Sequence, residues 1–219
     1  MLKERVSIII PSLNPDEKLM QVVSSLIDDG YTDIVIVNDG SDEDHMEPFK
    51  MADKHKECTV LTHEVNKGKG RALKTAFEYL KDNRDENLLG VVTVDGDNQH
   101  KVEDITRCLE AMSSNPDTVI LGCRDFSGDD VPPRSKFGNN VTRVVFKFAC
   151  GLNISDTQTG LRAIPYIYLE DFSKVTGERF EYETNMLLEL KEKNIPYYEV
   201  KIKTVYIEEN ATSHFNPLK

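Results

Sequence analysis

A chain of 219 residues that is 39% hydrophobic and 30% charged, with 12 Gly and 9 Pro, suits one large α/β domain better than two small ones. Its 38 acidic against 27 basic residues leave a net charge of −11, which argues against a general nucleic-acid binder and leaves room for a local basic cleft. The 4 cysteines are far apart with no CxxC pair, and no apolar run reaches the roughly 20 residues that span a bilayer, so reduced thiols in a soluble, cytosolic protein are expected.

Short apolar runs alternate with amphipathic stretches, the pattern of a mostly parallel sheet with helices on both faces. Val6-Ser7-Ile8-Ile9-Ile10 reads as a first strand stopped by Pro11, which also cuts the run too short for a signal peptide. An amphipathic helix is predicted from about Asp16 to Asp29, with Gly30 at its end. Ile34-Val35-Ile36-Val37 is a second strand running into the turn Asn38-Asp39-Gly40-Ser41, followed by a weaker helix from about Glu43 to His55. A third strand, Thr59-Val60-Leu61-Thr62, leads to the loop Asn66-Lys67-Gly68-Lys69-Gly70 and a helix from about Arg71 to Lys81. Val91-Val92-Thr93-Val94 is the fourth strand, a helix covers about Val102 to Met112, and Val119-Ile120-Leu121-Gly122 is the fifth strand. Beyond Cys123 the pattern changes. Residues 125–135 form a long polar loop, and Gly138 to Cys150 reads as an amphipathic helix. The apolar stretch Leu161-Arg162-Ala163-Ile164, a helix at about Glu183 to Lys193 and a strand at about Tyr197 to Val205 complete the order.

Ligands of open α/β sheets bind outside the carboxyl ends of the strands, and Pro11 to Asn14, Asp39, Asp95 with Asp97, and Arg124 all fall at such ends. Asp95-Gly96-Asp97 can turn two carboxylates toward one hard divalent cation, with Gln99 adding a carbonyl oxygen. A solvated acidic turn is the plainer alternative, and the preceding buried strand favours the metal–diphosphate site. Asp39 is readable as a turn or cap residue, or as a carboxylate that receives a nucleobase edge. The Gly-rich, basic segment before the third helix suits an anion, with Lys69 or Arg71 adding charge, or is simply a solvated loop. It lacks the spacing of a P-loop.

The stretches Ile8-Ile9-Ile10-Pro11-Ser12-Leu13-Asn14, Val37-Asn38-Asp39-Gly40-Ser41, Asn66-Lys67-Gly68-Lys69-Gly70 and Val94-Asp95-Gly96-Asp97-Asn98-Gln99-His100 occur in one order. Gly122-Cys123-Arg124, Ser155-Asp156-Thr157-Gln158-Thr159-Gly160-Leu161-Arg162 and Ser213-His214-Phe215-Asn216-Pro217-Leu218 follow. This set resembles family 2 nucleotide-sugar glycosyltransferases of the GT-A fold. More narrowly, it is similar to their polyprenyl-phosphate branch, the dolichyl-phosphate mannosyltransferases and undecaprenyl-phosphate glycosyltransferases.

The resemblance implies one catalytic domain over 1–219, with a nucleotide-binding part at about 1–122 and an acceptor-binding part at about 123–219. Pro11, Leu13, Val37 and Asp39 would line the nucleoside pocket, with Lys69 and Gly96 also on the donor side. Asp95 and Asp97, with Gln99, would hold Mg²⁺ or Mn²⁺ and the donor diphosphate. Arg124, Arg134 and Lys136 would receive the acceptor phosphate, and Asp156 and Arg162 would shape the sugar end of the crevice. Leu13 stands where the family usually has an aromatic residue, and Pro15-Asp16-Glu17 follow Asn14, so Asp16 or Glu17 would substitute for the usual acidic contacts. The absence of Trp disfavours the processive polysaccharide synthases.

The implied reaction is inverting transfer of a hexose, from UDP-glucose in preference to GDP-mannose, to a polyprenyl phosphate at the cytoplasmic membrane face. A phosphate monoester is largely ionised near neutral pH and needs no general base. The basic residues Arg124, Arg134, Lys136 and Arg143 stand out in an acidic chain, as acceptor ligands or as a solvated face. The family often carries transmembrane helices after this domain, so the sequence is expected either to be truncated or to dock peripherally. Phe137 to Phe148, with Arg143 and Lys147, is the docking candidate, unless that stripe is core. Alternatives are transfer to a sugar hydroxyl, nucleotidyl transfer, and a non-catalytic nucleotide-sugar-binding domain. A homo-oligomer is compatible with the chain, and a nucleic-acid partner is not expected.

Overall fold

Val6, Ser7, Ile8, Ile9 and Ile10 have no exposed surface, as expected of a strand covered on both faces. They begin β1 (Val6–Ser12) in a computed structural model that describes residues 1–85, 87–124, 143 and 146–203. The other strands are β2 (Ile34–Asn38), β3 (Cys58–Thr62), β4 (Gly90–Thr93), β5 (Val119–Arg124), β6 (Arg162–Pro165) and β7 (Tyr197–Ile202). The helices are α1 (Lys18–Asp28), α2 (Glu47–Ala52), α3 (Lys69–Asn83), α4 (Val102–Ser114), α5 (Leu169–Lys174) and α6 (Glu181–Glu192).

The strands form one sheet of order β3-β2-β1-β4-β6-β5-β7. Every pairing is parallel except those of β6, which runs antiparallel to β4 and β5. The expected mixed α/β fold with a mostly parallel sheet is therefore present. The sheet is shared by both parts of the chain, because β5 pairs with β6 and β7 from beyond residue 123.

Successive side chains of a strand face opposite ways, and the two apolar clusters follow that alternation. Ile9, Val35, Val37, Val91, Leu121 and Ile164 pack under α3, α5 and α6 through Phe77, Phe172 and Leu187. Ile8, Ile10, Ile34, Ile36, Val92 and Ala163 pack under α1, α2 and α4 through Leu26, Phe49 and Leu109.

The structure corrects several boundaries. β1 runs through Pro11 to Ser12 instead of stopping at the proline. Ile8 donates to Asp33 on the β2 side and Ile9 accepts from Val94 on the β4 side, so the nitrogen of Pro11 also faces β4. The β4 ladder has ended at Thr93 by then, and the missing donor costs no strand pairing. α3 begins at Lys69, two residues early, which places Lys69 on the first turn. Only Glu47–Ala52 of the weaker second helix is α-helical, after a 3-10 turn at Glu43–His45. α5 was not anticipated: its six residues are too few to show a helical period. Residues 125–135 lie outside the described residues, as does most of the helix expected at Gly138 to Cys150. Phe146–Cys150 forms a π-helical turn.

Candidate active site at the carboxyl ends of the strands

The chain passes from β1 outward through β2 to β3, then returns to β4 on the other side of β1. In open α/β sheets such a switch marks where ligands bind, beyond the carboxyl ends of the strands, here those of β1 and β4. Asp39 follows β2, Asp95 follows β4, and Arg124 ends β5. The reversal of β6 brings its amino end, Arg162, to the same rim, in register with Thr93 and Leu121.

Asp95 is the centre of a charged cluster. Lys69 Nζ lies 2.8 Å from its Oδ1 and His100 Nε2 lies 3.3 Å from its Oδ2. The same ammonium reaches Glu183 Oε2, on the first turn of α6, at 3.0 Å. Burial works to raise the Asp95 pKa, but Lys69 and His100 outweigh it and hold the carboxyl well below the usual range. Lys69 is shifted upward: burial opposes its charge, and Asp95 with Glu183 overcomes that. Asp97 behaves oppositely, its carboxyl raised by burial and by the negative charge of Asp95. The amide of Gln99 donates to Asp97 Oδ1 at 3.1 Å across a tight turn, with Asn98 at φ +64°. Gly96 rests on Ile10 and Leu19 with room for a methyl group at ordinary contact distance, so packing alone does not demand glycine there. Gly160 does answer a packing demand: a Cβ there would lie 2.5 Å from Asp95 Oδ2. Thr93 Oγ1 donates to the carbonyl of Gly160 at 2.6 Å and holds that backbone over Asp95.

Asp39 faces inward. Its Oδ1 pairs with His63 Nδ1 at 2.7 Å and accepts from the Lys67 amide at 3.0 Å, while Oδ2 accepts from the Gly68 amide at 2.7 Å. The anion expected at the Gly-rich loop is thus the protein's own Asp39, which uses three of about four acceptor positions and is 3% exposed. His63 completes the clamp by contacting Thr75 Oγ1 at 2.9 Å. Arg71 is likewise engaged inside the protein, held in a fork by Glu178 at 2.6 and 2.9 Å.

Val37 was expected to line a nucleoside pocket. Its side chain is wholly buried in the cluster under α3, because the inward phase of the strand falls on this residue. Pro11 is half-buried at the rim and Leu13 is 47% exposed beside it. Asn14 ties this loop to the one after β2, with its amide on Ser41 Oγ at 2.8 Å and its Oδ1 accepting from the Asp42 amide at 2.8 Å.

At the end of β5 Arg124 and Asp156 meet. The guanidinium donates through Nε at 2.8 Å and Nη2 at 3.1 Å, and the Arg124 amide adds a third bond at 3.2 Å. The Asp156 side chain has no exposed surface, so it orients Arg124 and cannot itself face an acceptor. Arg162, expected to shape the sugar end, is 3% exposed. It donates to the carbonyl of Glu183 at 2.9 Å, while its Nε is buried without a hydrogen-bond partner among the described residues. Burial lowers its pKa, and Glu183 counters that only in part. It therefore braces the start of α6. Arg134 and Lys136 lie outside the described residues, as do most of Phe137 to Phe148 and all of 213–218.

Arg143, Lys147 and Phe148 remain on view, and Phe148 is 82% exposed. With Asn153, Ser155 and Glu199 they line a cavity of about 430 Å³. Phe146 belongs to the core. Among the described residues no helix is long and apolar enough to cross a membrane.

The donor set suits a hard divalent cation. Asp95 and Asp97 would supply carboxylate oxygens, Gln99 follows on the same turn, and Asp97 Oδ2 has no hydrogen-bond partner among the described residues. Two carboxylates leave positions for water and phosphate, the usual arrangement around Mg²⁺.

The family description "Glycosyl transferase family 2" matches residues 7–189. A UDP-N-acetylglucosamine–dolichyl-phosphate N-acetylglucosaminyltransferase of Methanococcus voltae is 27% identical, over 95% of this chain and 88% of its own. A crystal structure of mannosyl-3-phosphoglycerate synthase from Rubrobacter xylanophilus aligns with TM-score 0.73 at 14% identity, covering 96% of this chain and 69% of that one. Glucosyl-3-phosphoglycerate synthase from Mycobacterium tuberculosis, crystallised with Mn²⁺, UDP and glucosyl-3-phosphoglycerate, aligns with TM-score 0.67 at 16% identity, covering 92% and 71%.

Proposed function

The chain belongs to glycosyl transferase family 2, and from that premise we propose that it moves a sugar from a nucleotide sugar to a polyprenyl phosphate. The observation that carries this reading is the placement of the Asp95–Asp97 pair, after β4, and of the Arg124 fork held by Asp156, at the end of β5, on either side of β6 at one rim of the sheet. One side suits a cation-bound diphosphate, and the other suits a phosphate nucleophile. The Methanococcus relative, whose name specifies a dolichyl-phosphate acceptor, supports the choice of acceptor.

Asp95 and Asp97, with Gln99, would hold Mg²⁺ or Mn²⁺, which when bound neutralises charge on the leaving diphosphate. Lys69 brings a second positive charge to the same rim. Arg124 receives the acceptor phosphate, and Asp156 keeps its guanidinium in the forked geometry that suits phosphate oxygens. One acceptor oxygen bonds to the anomeric carbon as the bond from that carbon to the donor diphosphate breaks. A single displacement inverts the centre. The nucleophile is already an anion, so no residue is required to take its proton.

UDP sugars are the first donors to test: UDP-glucose from the sequence reading, and UDP-N-acetylglucosamine from the relative's name. Arg143, Lys147 and exposed Phe148 suit an anionic membrane surface beside the acceptor side. The test is a panel of UDP- and GDP-sugars with Mg²⁺ or Mn²⁺, with and without a short polyprenyl phosphate. Lipid-linked sugar of inverted anomeric configuration is expected. Transfer to sugar hydroxyls alone would overturn the acceptor assignment.

A further inference from the structure

Both oxygens of Asp95 are already occupied in the protein by itself, Oδ1 by the Lys69 ammonium and Oδ2 by His100. Lys69 has a second anchor, Glu183, at 3.0 Å, and the Glu183 carboxylate is 17% exposed. Glu183 is fixed from behind, because buried Arg162 donates to its carbonyl. Asp97, two residues from Asp95, has the Gln99 amide as its sole hydrogen-bond partner among the described residues.

We infer that Lys69 is a stand-in counter-ion, which occupies Asp95 when the divalent cation is absent and is retained by Glu183 when Asp95 is given up. The inference rests on the reading of Asp95 and Asp97 as metal carboxylates. Two cations cannot share Asp95 Oδ1 at contact distance without strong repulsion, so a metal ion arriving there displaces the ammonium. The lysine stem is flexible enough to allow it, with three donors on a rotatable end. An ammonium driven into solvent would leave Glu183 half-buried without its partner, whereas a small swing keeps that ion pair. Lys69 and Glu183 thus act as a pair that spares Asp95 an uncompensated charge before the donor arrives and then frees it.

The test measures binding of Mn²⁺ alone, without nucleotide, by the loss of the free-ion EPR signal. Asp97→Ala should abolish binding, and if it does not, the metal-site reading itself is wrong. Lys69→Met should bind Mn²⁺ about tenfold more tightly than the unaltered chain, since a competing cation has been removed. Glu183→Gln should weaken Mn²⁺ binding several-fold where Lys69 is retained and distinctly less in a Lys69→Met background. Equal or weaker Mn²⁺ binding by Lys69→Met, with the Asp97 dependence intact, would overturn the stand-in role and leave the metal site standing. Should Lys69→Met fail to fold, Lys69→Gln and the Glu183→Gln measurement decide the same question. Unchanged affinity in Glu183→Gln would also refute the inference.

Discussion

Gly160 lies against Asp95 so closely that a methyl group on its α-carbon would be 2.5 Å from Oδ2. Gly160 stands two residues before β6, the only strand among the described residues that runs antiparallel to its neighbours. Gly160→Ala must push either the carboxylate or the backbone held by Thr93. A displacement near 1 Å at a reacting centre can cost about a hundredfold in rate. Gly160→Ala is therefore expected to lower turnover by about 10- to 100-fold and to weaken Mn²⁺ binding, with a melting temperature only a few degrees lower. Steady-state kinetics and a thermal melt check this.

Asp97→Ala removes one of two carboxylates from the proposed cation site without touching the core. Transition-state charge stabilisation by a bound cation amounts to several kcal/mol, so transfer should fall by about a thousandfold or more. The fold should survive, as judged by circular dichroism. Near-normal turnover would refute the metal role.

Asp156→Asn keeps the shape of the buried side chain and discards the charge that holds Arg124. The expected result is a rise of about 10-fold or more in KM for the lipid phosphate, with a smaller change in kcat. Arg124→Lys should resemble it, because an ammonium cannot reproduce the fork. If instead only thermal stability changes, the pair is structural.

Glu178 joins the loop before α6 to Arg71 and Lys74 of α3. The hydrogen bonds from Arg71, followed by those from Lys74, hold its carboxyl down at about 2, against an ordinary 4.5. The folded state thus favours the ionised form. That stabilisation is full above about pH 4.5 and is lost as the pH falls toward about 2. With the side chain 46% exposed, it amounts to about 1 kcal/mol after solvent screening. Glu178→Gln should be less stable at pH 7 and should lose stability less steeply between pH 4.5 and 2, as followed by urea unfolding.

Much of this site was legible in the chain because strand ends announce themselves. Asp39, Asp95, Asp97 and Arg124 each follow an apolar run, and the order of runs and helices already implied a covered, mostly parallel sheet. What could not be read was direction. The run Ile34 to Val37 is apolar on both faces, so nothing marked Val37 as pointing inward. Asp39 and Asp156 were expected to meet ligands, and in the structure their carboxylates meet protein donors, since a buried carboxylate differs from an exposed one only by its partners. His63, His100 and Glu183 acquire their roles from residues 24, 5 and 114 positions away, contacts that no periodicity encodes. Glu183 was visible only as the start of a helix. A polar residue on the first turn of a helix that packs over the rim is the signal that could have singled it out.

The reversal of β6 has a further consequence. The chain leaves the sheet at Arg124 and re-enters at Arg162, and the two exits adjoin, with Gly122 donating to the carbonyl of Leu161 at 2.9 Å. Of the described residues between these exits, Asp156 meets Arg124 and Gly160 lies against Asp95. Loop-closure entropy rises only slowly with length, by about 0.6 kcal/mol per doubling. A change of length between the two exits therefore costs little, whereas a change at Asp156 or Gly160 is passed directly to Arg124 and Asp95.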